Sequence, residues 1–133
     1  MLILRKNNMN VKLKNWLMVI IWAAFIFFLS RQPGLNSGFP QIWDLVLRKL
    51  AHISEYFILN VLLIKSFGSY SLSRKKILIL SFSLALLYAI SDEYHQSFIF
   101  GRQGTVRDVM IDGVGILLSS WLYKLKMIKF KII

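Results

Sequence analysis

Four apolar runs of about fifteen residues restrict what this chain can fold into. The first has fourteen apolar residues in succession, and the runs cover residues 16–29, 50–64, 77–90 and 109–123. A helix of this length is about 22 Å long, whereas the hydrocarbon core of a bilayer is about 30 Å thick. Each run must therefore extend into its polar flanks to cross a membrane. Because backbone in lipid has to hydrogen-bond within itself, the runs predict helices.

With these extensions the sequence predicts an all-α fold, a four-span transmembrane helical bundle that forms one domain over residues 1–133. The predicted spans are residues 13–30, 50–67, 76–92 and 107–124. A chain of 133 residues suffices for one compact unit. Hydrophobic residues make up 56% of it, which a soluble domain of this size would struggle to bury. Without cysteine the chain forms neither disulfides nor a thiolate metal site.

The distribution of basic residues predicts the orientation in the membrane. A net charge of +11 first suggests nucleic acid. The lysines, however, lie at the ends of apolar runs, so no nucleic-acid partner is predicted. With alternating spans, twelve basic residues fall on one side and five on the other. Cytoplasmic loops are enriched in Lys and Arg. The sequence thus predicts a multi-pass protein of the cell membrane, in contact with membrane lipids and with both termini cytoplasmic.

Polar side chains form stripes near the outer ends of three predicted spans. All six acids fall in the outer loops or the outer halves of spans. Ionisable groups avoid lipid, so we expect the stripes to converge inside the bundle as an outward-facing polar cavity. The candidate site residues are Lys49, His52, Glu55, Tyr56, Asp92, Glu93, Gln96, Arg102, Asp108 and Asp112.

Two further expectations concern helix faces. On the second span, His52 and Tyr56 share one helical face with Asn60, so we expect this face to meet the bundle and Leu59 to face lipid. On the fourth span, Gly115 and Ser119 form a pair of small residues four apart. Such a pair lets a helix approach its neighbour closely.

The spacing of these residues resembles the VanZ-like family of small bacterial membrane proteins. Two segments carry the resemblance, RKLAHISEYFIL at residues 48–59 and DEYHQSFIFGRQGTVRDVMIDGVG at residues 92–115. It covers about residues 16–123. The family is named for a protein linked to low-level teicoplanin resistance, and its biochemical activity is not established. The resemblance therefore implies a place in the bacterial cell envelope but no particular reaction.

Three classes of function are compatible with this sequence. The first is an envelope factor that affects teicoplanin susceptibility through a site for a lipid-linked cell-wall precursor or a glycopeptide. The alternative is a membrane enzyme acting on a phosphorylated lipid or cell-wall precursor at the outer leaflet, with catalytic residues unassigned. A proton-coupled transporter is least favoured, because the inner halves of the spans carry almost no ionisable groups.

The histidine of the second span has two interpretations. His52 and Glu55 are placed to ligate a metal, with His95 or Glu93 completing the set of at least three ligands. A hydrogen-bonded pair of His52 with Glu55 inside the bundle is favoured over this. The sequence therefore predicts no metal site and no cofactor.

The acids and arginines of the candidate site also have two interpretations. Asp92 and Glu93 act as a general acid or base, or they neutralise nearby cations. Lys49, Arg102 and Arg107 grip a phosphate or carboxylate, or they anchor the loop beside the acids. In either case we expect Arg102 to be held by Asp92, Glu93 or Asp108.

Overall fold

A computed structural model describes residues 2–31, 40–99 and 104–126, with side chains from Met9 onward. Its elements are four helices: α1 (Leu2–Arg31), α2 (Gln41–Phe67), α3 (Arg74–Gln96) and α4 (Val106–Lys124). The described residues contain no strand. The predicted all-α bundle of four helices is confirmed.

Three of the helices are long and apolar enough to cross a membrane. These spans are Met9–Arg31, Gln41–Phe67 and Arg74–Gln96. Large apolar side chains are exposed along all four helices, as expected where lipid replaces water as the solvent. The chain is therefore a membrane protein. The fourth helix has 19 residues and carries Arg107, Asp108 and Asp112 in its first half, so its crossing of the membrane stays a prediction.

Local capping explains where α3 and α4 begin. The Ser73 hydroxyl accepts a hydrogen bond from the backbone N–H of Lys76 at 3.3 Å. At α4, the Thr105 hydroxyl accepts from the backbone N–H of Asp108 at 3.2 Å and donates to the Asp108 carboxylate at 2.8 Å. Both contacts satisfy donors that a helix start leaves without an intrahelical partner.

Contacts between helices show that neighbours in sequence run antiparallel. At one end Asp92 of α3 contacts Ser30, near the end of α1, and Tyr56 of α2. At the opposite end Asn15 donates to Ser69, just after α2, at 2.7 Å. The helix α2 packs against each of the other three and lies most closely against α4.

The apolar core surrounds α2 and corrects one expectation. It contains Val19, Ile26, Tyr56, Leu59, Leu63, Ala85, Ala89 and Ile116. The prediction that Leu59 faces lipid is wrong, because this side chain is only 2% exposed. Since α2 has neighbours on three sides, its buried face is wider than the polar stripe and includes the residue next to it.

Two small residues bring α2 and α4 into backbone contact. A Cβ atom at Gly115 would lie 2.2 Å from the Ile53 carbonyl oxygen and 2.9 Å from the Phe57 nitrogen. One turn later the Ser119 hydroxyl lies 2.7 Å from the side-chain nitrogen of Asn60, which donates to it. The predicted close approach at this pair is confirmed.

Candidate functional site

Most of the predicted site residues come together at the end of the bundle where α1 and α3 end. They belong to two neighbouring groups that meet at consecutive residues of α3. We call Ser30, Tyr56, Asp92 and Gln96 the Asp92 cluster. We call His52, Glu93 and Asp112 the Glu93 cluster.

In the Asp92 cluster, three donors surround one carboxylate. The Ser30 hydroxyl donates to one Asp92 oxygen. The other oxygen accepts from the Tyr56 hydroxyl at 3.0 Å and from the Gln96 amide at 3.4 Å. The same amide donates to the Ser30 hydroxyl at 2.6 Å. The buried carboxylate is thus satisfied by protein groups alone, as buried polar groups usually are.

In the Glu93 cluster, two buried acids meet one histidine. His52 Nδ1 lies 2.9 Å from Asp112 Oδ1. One ligand atom from each of His52, Glu93 and Asp112 lies within 4.8 Å of the others. Glu93 is 3% exposed and Asp112 is fully buried. Within the described part of the chain, both Glu93 oxygens and Asp112 Oδ2 lack a hydrogen-bond partner. Acids held this closely repel each other unless a proton or cation lies between them.

A glycine supports the Glu93 cluster from the adjoining loop. A Cβ atom at Gly104 would lie 1.9 Å from the Glu93 carbonyl oxygen and 3.1 Å from the Ser97 nitrogen. The chain entering α4 therefore passes directly over the last turn of α3, and only glycine fits there. The sequence showed this glycine but not the packing that requires it.

Three predicted site residues belong to neither cluster. Lys49 and Glu55 are half-buried on α2, and the Glu55 carbonyl accepts from the Trp22 indole at 2.9 Å. Asp108 caps α4 through Thr105. The interpretation of Asp108 as a site residue therefore stays a prediction, whereas its capping contact is observed.

The ligand set first considered for a metal is not the set that the structure brings together. Asp112 on α4 partners His52, and the sequence did not predict this contact. Glu93 joins them, as one of the two residues considered for completing the set. The other, His95, packs its ring against Phe27 on α1 at 4.7 Å between centroids.

One predicted residue lies outside the described residues, and one contact was missed. Arg102 is not among the residues that the structure describes, so its pairing with an acid stays a prediction. Ser30, which is 3% exposed, was considered only as the end of the first span. Its role depends on how α1 docks against α3, and no local sequence signal gives that.

Comparison with known proteins identifies the family to which this chain belongs. A family model described as VanZ/LLP1 matches residues 15–127. This range contains every residue of both clusters. No curated protein and no solved structure matches the chain.

Proposed function

The chain belongs to the VanZ-like family of membrane proteins, and from that premise we propose that its polar site binds a lipid-linked ligand of the cell envelope. Binding there alters susceptibility to teicoplanin-type glycopeptides. The observation that supports this proposal is the Glu93 cluster, where buried carboxylate oxygens have no partner among the described residues. Such groups are costly to keep in a membrane bundle, and they are typical of functional sites.

The surrounding charges favour an anionic head group. Arg31 ends α1, Arg48 and Lys49 lie in the first turns of α2, and Arg107 lies in the first turn of α4. All four belong to the end of the bundle that carries both clusters. Guanidinium and ammonium groups bind phosphate through charge-assisted hydrogen bonds. A phosphate-linked lipid therefore suits this rim better than a neutral lipid does.

The proposal requires the clusters to face outward, with four spans and both termini in the cytoplasm. The twelve-to-five distribution of basic residues supports this orientation. Single cysteines at Ser37 and Gln103 should react with an impermeant maleimide in intact cells, and one at Ser71 should react only after lysis. The reverse pattern would exclude the outward site.

A deletion strain provides the functional test. Complementation with the wild-type gene should change the inhibitory concentration of teicoplanin at least fourfold relative to the deletion. A Glu93→Gln variant expressed at equal membrane level should lose most of that effect. The matched control is His95→Gln, which alters a histidine outside both clusters and should retain it. Equal susceptibility of the deletion and wild-type strains would contradict the proposal.

One observation favours the alternative of an enzyme. The contact of His52 with Asp112, beside the unpartnered Glu93 carboxylate, offers groups suited to general acid–base catalysis. Purified protein should then release phosphate or a modified lipid from a phosphorylated polyprenyl substrate, as detected by mass spectrometry. Glu93→Gln should abolish that turnover. Stoichiometric binding of the lipid without turnover would exclude the enzyme and support the binding function.

A further inference from the structure

We infer that the Glu93 cluster is a binding site for one divalent transition-metal ion, held by His52, Glu93 and Asp112. Three helices supply one ligand each, from α2, α3 and α4. The ligand atoms lie within 4.8 Å of one another. The inference deepens the proposed function, because it concerns the same cluster, but the ion binds there whichever envelope ligand the protein takes.

The ligand spacing is already close to that of a bound metal. His52 Nδ1 and Asp112 Oδ1 are 2.9 Å apart. Two adjacent ligands at about 2.1 Å from one octahedral ion are about 3 Å apart. The third ligand atom has to approach by at most about 2 Å, because no two of the three atoms are more than 4.8 Å apart.

Unpartnered oxygens are the second and independent observation. Both oxygens of Glu93, which is 3% exposed, and one oxygen of the fully buried Asp112 lack a hydrogen-bond partner in the described residues. The neighbouring acid Asp92 accepts three hydrogen bonds under the same degree of burial. Burial alone therefore does not explain the missing partners at Glu93. Either a proton shared with Asp112 or a cation coordinated by these oxygens does, and the adjacent imidazole of His52 favours the cation.

Charge and ligand type indicate the class of ion. Two carboxylates and a neutral imidazole carry a charge of −2, which a divalent cation balances. The imidazole nitrogen favours zinc or iron over magnesium and calcium, which prefer all-oxygen sites, and the two carboxylates also suit manganese. Three protein ligands leave at least one coordination position open for water or for the phosphate of a bound ligand. The His52 side chain is 16% exposed and marks the accessible side of the site.

Two glycines hold the three helices at the spacing that the ion requires. Gly115 brings the backbones of α2 and α4 into contact at Ile53, the residue after His52. Gly104 packs the start of the α4 segment onto the carbonyl of Glu93 itself. Neither glycine touches the ion, but each fixes a ligand-bearing turn against its neighbour.

Metal analysis of the full-length protein tests this inference. The protein is purified in detergent with a tag that contains no histidine, stripped with a chelator and dialysed against Zn²⁺ or Mn²⁺. Elemental mass spectrometry should find about one ion per chain in the wild type. His52→Gln, Glu93→Gln and Asp112→Asn should each reduce this at least tenfold. His95→Gln should retain the wild-type content.

A spectroscopic measurement covers the case in which variants fail to fold. Co²⁺ added to the stripped wild-type protein should give ligand-field absorption bands that saturate at one equivalent and disappear when Zn²⁺ is added. The inference would be overturned if these bands were absent, or if Glu93→Gln bound as much metal as the wild type. A proton shared between Glu93 and Asp112 would then be the remaining explanation of the unpartnered oxygens. A Glu93→Gln variant that loses the metal but keeps the wild-type effect on teicoplanin susceptibility would refute the proposed function but not the metal site.

Discussion

Asp92 and Glu93 are consecutive acids on one helix, and their surroundings differ completely. Both are almost fully buried, at 4% and 3% exposure. Asp92 accepts hydrogen bonds from Ser30, Tyr56 and Gln96. Glu93 has no such donor among the described residues and meets a second acid instead. At equal burial, the hydrogen-bonding capacity of Asp92 is therefore satisfied and that of Glu93 is not.

The difference follows from the geometry of a helix. Consecutive residues point about 100° apart, so the two acids enter different helix interfaces. The Asp92 cluster joins α1, α2 and α3, whereas the Glu93 cluster joins α2, α3 and α4. We interpret the first as a structural contact that fixes α1 against the bundle. The second has the unmet hydrogen-bonding capacity of a site that binds something.

The largest effect is expected where the Glu93 cluster depends on backbone contact. Gly115→Ala places a methyl group 2.2 Å from the Ile53 carbonyl oxygen. Backbone atoms cannot rotate away, so the loss should exceed the about 1–3 kcal/mol typical of overpacking. Thermal unfolding in detergent measures it. Gly113→Ala is the matched control, because a Cβ atom there meets nothing within 4 Å. Equal stability of the two variants would show that α2 and α4 do not touch here.

The second largest loss of stability is expected from a change at Asp92, the acid whose hydrogen bonds are satisfied. Asp92→Asn keeps the size of the side chain but replaces one acceptor with an N–H₂ group that faces the donors of the Asp92 cluster. Leaving a buried donor without a partner costs about 1–3 kcal/mol. We expect a loss of about 2–3 kcal/mol in the free energy of unfolding, measured by titration with SDS, and no change in bound metal. A stability equal to that of the wild type would mean that the Asp92 cluster is not structural.

The sequence predicted the helices of the fold better than it predicted the side-chain contacts between them. Each of the four apolar runs lies within one helix, because their length and the requirement for internal hydrogen bonding leave few alternatives. The helical stripe on α2 correctly placed Tyr56 inside the bundle. The same reasoning failed at Leu59, because a stripe does not show how many neighbours a helix has.

Partners across helices could not be read from spacing alone. The sequence paired His52 with Glu55, a neighbour on its own helix, and did not predict its contact with Asp112, sixty residues later. Ser30 became a partner of Asp92 only through the docking of α1. Such contacts depend on the relative rotation and height of two helices, which one helix's periodicity does not contain.

A smaller effect is expected at the cap of α4, which lies near both clusters and belongs to neither. Thr105→Ala removes the reciprocal hydrogen bonds with Asp108 and should cost about 1 kcal/mol. Thr105→Ser should restore most of it, since serine retains the hydroxyl. Metal content should be that of the wild type in both variants. A tenfold loss of metal in Thr105→Ala would instead place Asp108 in the Glu93 cluster.

The smallest effect on the metal-free protein is expected from Glu93→Gln, which is the same chemical change as Asp92→Asn one residue later. The glutamine removes the repulsion between two buried acids. It deprives no donor of its acceptor, because no described donor bonds to Glu93 in the wild type. We therefore expect a free energy of unfolding within about 1 kcal/mol of the wild type, because the lost repulsion offsets the imperfectly paired amide. Added Zn²⁺ should raise the unfolding temperature of the wild type and leave that of the variant unchanged, since a ligand stabilises only the state that binds it. If Glu93→Gln proves as destabilising as Asp92→Asn without metal, then Glu93 has a partner in the folded protein, and the contrast between the two acids disappears.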